Sequence, residues 1–324
     1  MSAIVAEGAF LAAALEPLRP FLDREEVTEI LVNRPGEVWV EAAGQAAMAC
    51  HAVPELTDRH LGRLAQQVAR ISHQGINRQI PLLGAVLPDG ARIQFVAPPA
   101  TRRHWAMAIR RHRLPDLPLD SWRPKGPLLP PRAPLPPDRD GDPIGWLKQA
   151  VRQRRTILIA GGTSTGKTTF LNALLAAVPV QDRIIAVEDT PEIRLSAPNA
   201  LGLVAVREAQ GEAQVTTGDL LQASLRLRPD RIVLGEMRGA EAVTFLRAIN
   251  TGHQGSFSTI HANSARGALD QLVLMVLQSG LGLSRADTLA YAGSVIDVVV
   301  VLGRDGGQRR IVDIACLGNG SGDL

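Results

Sequence analysis

One stretch constrains this chain more than any other. Thr156 to Thr169 reads TILIAGGTSTGKTT, an apolar run that leads straight into a complete phosphate-binding loop. Gly161, Gly166, Lys167 and Thr168 fit the G-x-x-x-x-G-K-[ST] pattern, Ile157 to Ala160 supply the preceding strand, and Thr169 to Ala177 continue as a helix. Glycines let successive backbone N–H groups turn inward around a β-phosphate, and the helix N-terminus adds the positive end of its dipole. Lys167 can then reach the β and γ oxygens, and the Thr168 hydroxyl can ligate Mg²⁺. The expected ATP-binding set is Gly161, Gly162, Thr163, Ser164, Thr165, Gly166, Lys167, Thr168 and Thr169. A bare glycine-rich turn would not require Lys followed by Thr.

At 324 residues the chain exceeds one ordinary core and points to two domains. No uninterrupted apolar run approaches the roughly 20 residues a membrane-spanning helix needs, and the stretch Ala292 to Leu302 carries Asp297. Near the N-terminus, Ala9 to Leu15 follows Glu7 rather than a basic region, so a surface helix is expected there instead of a signal peptide. Cys50 and Cys316 lack metal or redox spacing, and read as small apolar packers in a reducing compartment.

The net charge is only +3, and Lys125, Lys148 and Lys167 are the only lysines. Arginine therefore dominates the basic side, with clusters at Arg102-Arg103, Arg110-Arg111-His112-Arg113 and Arg152 to Arg155. Such clusters suit phosphates, anionic lipid headgroups or neighbouring subunits. A single tyrosine among few aromatics gives no stacking platform for single strands, so strong direct DNA binding is not expected.

Ten of the 22 prolines fall between Leu114 and Pro143. That segment is expected to be an extended linker, 114–143, between an α+β N-terminal domain, 1–113, and a nucleotide-binding domain, 144–324. The first domain opens with a helix from about Ala3 to Leu15, halted by Pro17 and Pro20. Strands follow at Val27 to Asn33 and Glu37 to Glu41, then a helix at Asp58 to Ser72, where Leu61, Leu64, Ala65, Val68 and Ile71 repeat at helical spacing. Further strands are expected at Leu82 to Leu87, Arg92 to Val96 and Ala106 to Arg110, with an Asp89-Gly90 hairpin turn between the first two.

The second domain alternates strands at Ile157 to Ala160, Arg183 to Glu188, Arg231 to Leu234, Ser256 to Ile260 and Val295 to Val301 with helices at Lys167 to Ala177, Gly218 to Arg226, Gly239 to Asn250 and Ser264 to Gln278. Continuous apolar strands with helical crossovers mean a parallel α/β sheet, which binds ligands at the carboxyl ends of its strands. Three motifs fall there. Arg231 to Leu234 runs into Gly235-Glu236, placing Glu236 to order the attacking water and help hold Mg²⁺. Ile184 to Val187 runs into Glu188-Asp189, which reads as a carboxylate pair at the same rim, the alternative being a helix cap or solvated turn. His253 and His261 bracket another strand, and a histidine at such a strand end can sense a γ-phosphate.

In chain order, LIAGGTSTGKTT, IIAVEDTPEIRL, LRPDRIVLGEMRGAEA and TGHQGSFSTIHANS resemble the Walker A, acidic, Walker B and histidine boxes of the secretion traffic ATPases. VTEILVNRPGEVWVE, LPDGARIQFVAPPA and AIRR extend the resemblance into the first domain and look most like the type IV secretion and conjugal transfer branch. The four-cysteine zinc motif common in type II relatives is absent. The resemblance implies a RecA-like P-loop domain preceded by a smaller α+β domain, assembled as a homohexameric ATPase ring on the cytoplasmic face of a bacterial inner membrane. It implies docking to other secretion-system ATPases and inner-membrane channel proteins, with anionic lipid nearby. By position, Lys167, Glu236, Glu188 and His261 take the catalytic roles, and Thr168, Glu188 and Glu236 the Mg²⁺ roles. Arg92 and Arg110 match N-domain arginines that reach the nucleotide phosphates, with Arg111 one register step away. Gly235 stands where many P-loop enzymes place aspartate. A type II or pilus motor, a DNA translocase and an ATP-gated scaffold are the alternative readings.

Overall fold

A computed structural model of the chain describes residues 2–111, 118–124, 138–206 and 213–317, with side chains from residue 8 onward. The chain forms two compact units. Unit 1 is Met1–Pro131, Leu203–Thr216 and Arg226–Arg228, and unit 2 is Arg132–Gly202, Thr217–Leu225 and Pro229–Leu324. Two stretches that the sequence places in the second domain thus group with the first. Most of the 114–143 linker lies outside the described residues; the described parts are 118–124, with a 3₁₀ turn at Leu119–Trp122, and 138–143, which lead into a helix starting at Pro143.

Unit 1 runs α1 (Ser2–Leu15), α2 (Arg19–Leu22), β1 (Val27–Val32), β2 (Gly36–Ala42), β3 (Ala49–Val53), α3 (Asp58–Ile71), β4 (Leu82–Val86), β5 (Arg92–Val96) and β6 (Ala106–Arg110). Pro17 and Pro20 do not simply stop the chain after α1. They occupy first-turn positions of a 3₁₀ helix, Glu16–Leu18, and of α2, where a missing N–H costs nothing. The strands form a sheet in the order β3-β2-β1-β6-β5-β4. β1, in its interior, is buried at five of six positions. α3 starts at the Thr57 cap, whose side chain accepts from His60 N at 3.1 Å, and lays Leu61, Leu64, Ala65 and Val68 into the core beside Val27, Ile30 and Ile109. Leu64 is fully buried, so truncation to Ala costs about 2–5 kcal/mol. The expected Asp89-Gly90 turn is present: Gly90 has φ +86°, and Ala91 N donates to Asp89 Oδ1.

Unit 2 runs α4 (Pro143–Arg152), β7 (Ile157–Gly161), α5 (Lys167–Leu175), β8 (Ile184–Glu188), β9 (Ala200–Val204), α6 (Thr217–Ser224), β10 (Arg231–Leu234), α7 (Glu241–Asn250), β11 (Phe257–Ile260), α8 (Ala265–Gln278), α9 (Arg285–Val295), β12 (Val298–Asp305) and β13 (Gln308–Cys316). The sheet order is β13-β12-β7-β11-β10-β8-β9, with β12, β7, β11, β10 and β8 parallel and β13 antiparallel on the edge. β7 is buried throughout and pairs β11 on one side and β12 on the other. α4 and α5 cover one face through Trp146, Leu147, Leu171 and Leu174. The strand expected from Val295 begins three residues later, because α9 runs to Val295 and Asp297 accepts from Thr156 N at 2.7 Å. A continuous apolar run does not show where helix gives way to strand.

The amino ends of the strands carry a buried charge network. Asp182 accepts from Arg154 Nη2 at 2.8 Å and from Arg231 Nε at 2.7 Å, while Arg231 Nη1 donates to Gly255 O. Arg183, just before β8, donates its backbone N–H to Asp230 Oδ2 at 2.7 Å. Burial draws Arg231 below its ordinary value, and the hydrogen bond to Asp182 opposes that.

Candidate nucleotide-binding site

β7 delivers the chain to the carboxyl edge of the sheet, and the loop after it is shaped by glycine. A Cβ on Gly161 would fall 2.4 Å from Thr165 Oγ1 and 3.1 Å from the Leu302 carbonyl oxygen, so no side chain fits. Gly166 has φ +89° at the cap of α5, a left-handed conformation that other residues resist. Thr165 Oγ1 closes the loop by donating to Gly162 O at 2.9 Å. α5 begins at Lys167, so Lys167, Thr168 and Thr169 form its first turn, whose N–H groups have no intrahelical acceptors. Thr163, Ser164 and Thr169 are exposed along the loop rim. This cradle is the one that the spacing predicts.

Lys167 Nζ donates to Gly161 O at 3.0 Å and Gly162 O at 3.2 Å, and lies 3.4 Å from His261 Nδ1. Burial draws the ammonium below the ordinary lysine range; Glu236 opposes the shift and Arg238 adds to it. Glu236 follows β10 on a backbone tied to both neighbouring strands. Gly235 N donates to Val187 O, Met237 N donates to Thr259 O, and Thr259 Oγ1 donates to Gly235 O. His261, just past β11, brings Nε2 to 2.7 Å from Glu236 Oε1, an ion-pair distance without hydrogen-bond alignment, and that oxygen is buried. Lys167, Glu236 and His261 therefore meet at the ends of β7, β10 and β11.

Glu188 is also at this edge, fully inside, and its role is different in kind. Its Oε2 accepts from Glu192 N at 2.8 Å and Ile193 N at 2.7 Å, which fixes the turn after β8. The Gly235 backbone passes close by: a Cβ there would sit 3.4 Å from Glu188 Cγ. A Cβ at this position, where other P-loop enzymes carry aspartate, would make ordinary van der Waals contact with Glu188 and Val187.

Arg238 is the residue the sequence reading missed. Its Nε donates to Glu236 Oε2 at 2.7 Å, Nη2 contacts the same oxygen, and Nη1 reaches Asp189 Oδ2 at 3.4 Å. The bond to Glu236 raises the guanidinium above its ordinary value. Its signal was available, two positions beyond Glu236, but an arginine in a loop carries no spacing rule of its own.

Arg92 and Arg110 belong to unit 1. They face each other directly across β5 and β6, both exposed, and Arg110 Nε lies 3.6 Å from Glu29 Oε1. Arg111, one step on, is buried and gives Nη1 to the carbonyl oxygens of Phe21, Arg24 and Val27. Between the two arginines of that register ambiguity, Arg110 is the one that faces outward.

The family described as "Type II/IV secretion system protein" matches residues 143–301. The type IV secretion system protein PtlH of Bordetella pertussis is 40% identical over 93% of this chain and 93% of its own length. VirB11 of Bartonella henselae is 36% identical over 94% of this chain and 92% of its own. This chain belongs to the VirB11 family of type IV secretion ATPases. The crystal structure of the VirB11 ATPase from the Brucella suis type IV secretion system, in complex with sulphate, covers 98% of the chain at 35% identity with a TM-score of 0.87. A VirB11-family chain thus accounts for both sheets, with a RecA-like domain built on the β7 sheet and an α+β N-terminal domain built on the β1 sheet. Among the described residues no helix is long and apolar enough to cross a membrane.

Proposed function

We propose that this chain hydrolyses ATP and works as the motor of a type IV secretion or conjugal transfer system, as a homohexameric ring. The observation that carries this reading is the convergence of Lys167, Glu236 and His261 over the glycine loop. Lys167 neutralises β- and γ-phosphate charge, and Glu236 orients the attacking water through its buried Oε1. Catalysis of this kind is positioning and charge stabilisation rather than covalent chemistry. His261, between Lys167 and Glu236, is placed to register loss of the γ-phosphate and to pass it on as movement. Glu188 supports the site by holding the turn beside Gly235, and a direct part at the metal or water is the remainder of its assignment.

The donor set fits Mg²⁺. A hydroxyl on Thr168 and carboxylate oxygens on Glu236 and Glu188 are hard ligands, and no compact group of three His, Cys, Asp or Glu occurs among the described residues. Mg²⁺ takes few protein ligands and keeps water and phosphate oxygens, so a full cage is not needed. Bound there, the ion would neutralise charge on the phosphates.

The family resemblance further gives Arg92 and Arg110 a phosphate contact, and their outward, paired placement supports it. Location at the cytoplasmic face of the inner membrane, with channel proteins, other secretion ATPases and anionic lipid as neighbours, belongs to the same reading. The test is the rate of Mg-ATP hydrolysis per protomer across protein concentrations, with Glu236→Gln as control and DNA or anionic vesicles added in parallel. A rate that rises with concentration, falls on the order of a hundredfold in the control and ignores DNA supports a ring-assembled secretion motor. A rate flat with concentration and strongly raised by DNA points to a translocase instead. Secretion that persists in a Glu236→Gln strain would favour an ATP-gated scaffold.

A further inference from the structure

β12 follows β7 in parallel as far as the Leu302↔Gly161 pair, where β7 ends. The β12–β13 hairpin then runs on, pairing Gly303 with Arg310, Arg304 with Arg309 and Asp305 with Gln308. Its two-residue turn, Gly306-Gly307, has positive φ at both positions, the conformation that matches the twist of a tight hairpin. Past Gly161, the neighbour of this hairpin is no longer a strand but the phosphate loop.

Arg309 returns along β13 with its side chain against that loop. A Cβ on Gly166 would lie 2.7 Å from Arg309 Cδ, 3.3 Å from Nε and 3.4 Å from Nη1. The guanidinium thus rests on the glycine that caps α5, at the positive end of the helix. Arg304 is its direct cross-strand partner, and like charges placed opposite each other destabilise a hairpin. Asp305 compensates Arg310 at 2.8 Å, but neither Arg304 nor Arg309 has a side-chain hydrogen bond or ion pair among the described residues. A planar fork held by its stem beside a phosphate cradle, with no carboxylate to neutralise it, is suited to bidentate binding of phosphate oxygens.

The sheet order separates the two flanks of the phosphate loop. β7 lies between β11 and β12, so His261 and Glu236 stand on one flank of the loop and the hairpin on the other. We propose that Arg309 binds the polyphosphate of the nucleotide from the hairpin flank, on the phosphates that are not cleaved. This rests on the nucleotide reading of the phosphate loop. It makes Arg309 an affinity residue for ADP and ATP alike rather than a residue of the hydrolytic step.

The test is displacement of a fluorescent ADP analogue by ADP and ATP, with steady-state hydrolysis alongside, for wild type, R309Q, R309K, R310Q and K167A. Loss of one charge-assisted contact should weaken ADP and ATP about tenfold each and raise KM for ATP to match, with kcat within about twofold. R309K, keeping the charge without the fork, should recover part of the loss. R310Q, on the opposite face of β13, should bind as wild type. R309Q binding ADP as tightly as wild type, while K167A loses it, would overturn the Arg309 assignment alone. Undiminished binding by K167A would overturn the nucleotide reading beneath it. A fall in kcat with KM unchanged in R309Q would move Arg309 to the cleaved phosphate and sink the flank assignment.

Discussion

At the amino ends of β8 and β10, Arg183, Arg231 and Asp182 are sealed inside, with the Arg231 and Asp182 side chains 0% and 3% exposed. At the carboxyl ends of β7, β10 and β11, Glu236 is 17% exposed and His261 and Arg238 are 51% and 58% exposed. Both clusters mix cations with carboxylates on the same sheet. The first is tied by aligned bonds: Asp182 takes Arg154 on one oxygen and Arg231 on the other, at hydrogen-bond length. The second is crowded but not settled, since His261 approaches Glu236 without alignment and Lys167 leans on its own loop carbonyls. Mixed charge therefore serves two ends. One cluster ties the strand starts to one another, and the other leaves His261 and Arg238 half exposed at the strand ends, as the proposed nucleotide site requires.

The comparison breaks most cleanly at its extremes. Lys167→Ala should cut ATP turnover about a thousandfold while leaving the melting temperature near wild type, because it removes phosphate stabilisation and not a buried partner. A melting temperature that falls with activity would make the carboxyl-end cluster structural after all. Asp182→Ala should do the reverse, costing about 3–5 kcal/mol in denaturant unfolding by stranding Arg231 in the interior. An unaltered unfolding midpoint would remove the distinction from the other side.

Smaller effects sharpen it. Glu236→Gln should slow hydrolysis on the order of a hundredfold with ATP affinity retained, since the amide keeps the shape but cannot act on water. Lost affinity in that variant would make Glu236 a binding group. Arg238→Gln should lower kcat about tenfold with KM unchanged, by loosening the carboxylate it holds. Equal changes in kcat and KM would show that Arg238 meets the nucleotide directly.

The smallest signal is in pH. Lys167 loses its proton below the ordinary lysine range, so kcat/KM for ATP should fall on the alkaline side earlier than an unperturbed lysine allows. In that same window the unfolded chain holds a proton that the folded chain has released. Stability therefore gains with rising pH while affinity drops. Lys167→Arg should move the alkaline limb of the profile upward; an unmoved limb would assign it to another group.

Much of this was legible in the chain, and the reasons are local. β5, β6 and β10 have the bounds that their apolar runs predict, and the glycine loop announces its own backbone. β7, β8, β10 and β11 read well because buried parallel strands are nearly all apolar. β3, β9 and β13 did not, for they are edge strands with polar or interrupted sequences such as QRRIVDIAC. α4 hid behind the prolines, although Asp142 caps it by accepting from Gly145 N and Pro143 starts it. In the site, Lys167 came from the phosphate-loop motif, and Glu236 and His261 came from strand-end position and the family resemblance. Arg238 and Arg309 did not, because a contact made by a loop or a returning hairpin leaves no spacing in sequence.

Arg110 and Arg111 show what alternation does to two identical neighbours. Arg110 points outward beside Glu29, while Arg111 N donates to Thr28 O and its guanidinium gathers three carbonyl oxygens between α2 and β1. The pair works like a coding frame. Exchanging a side chain on β6 alters one site, but deleting or inserting a single residue would send the anchor into solvent and the outward arginine inside, so this strand tolerates spelling changes and not shifts.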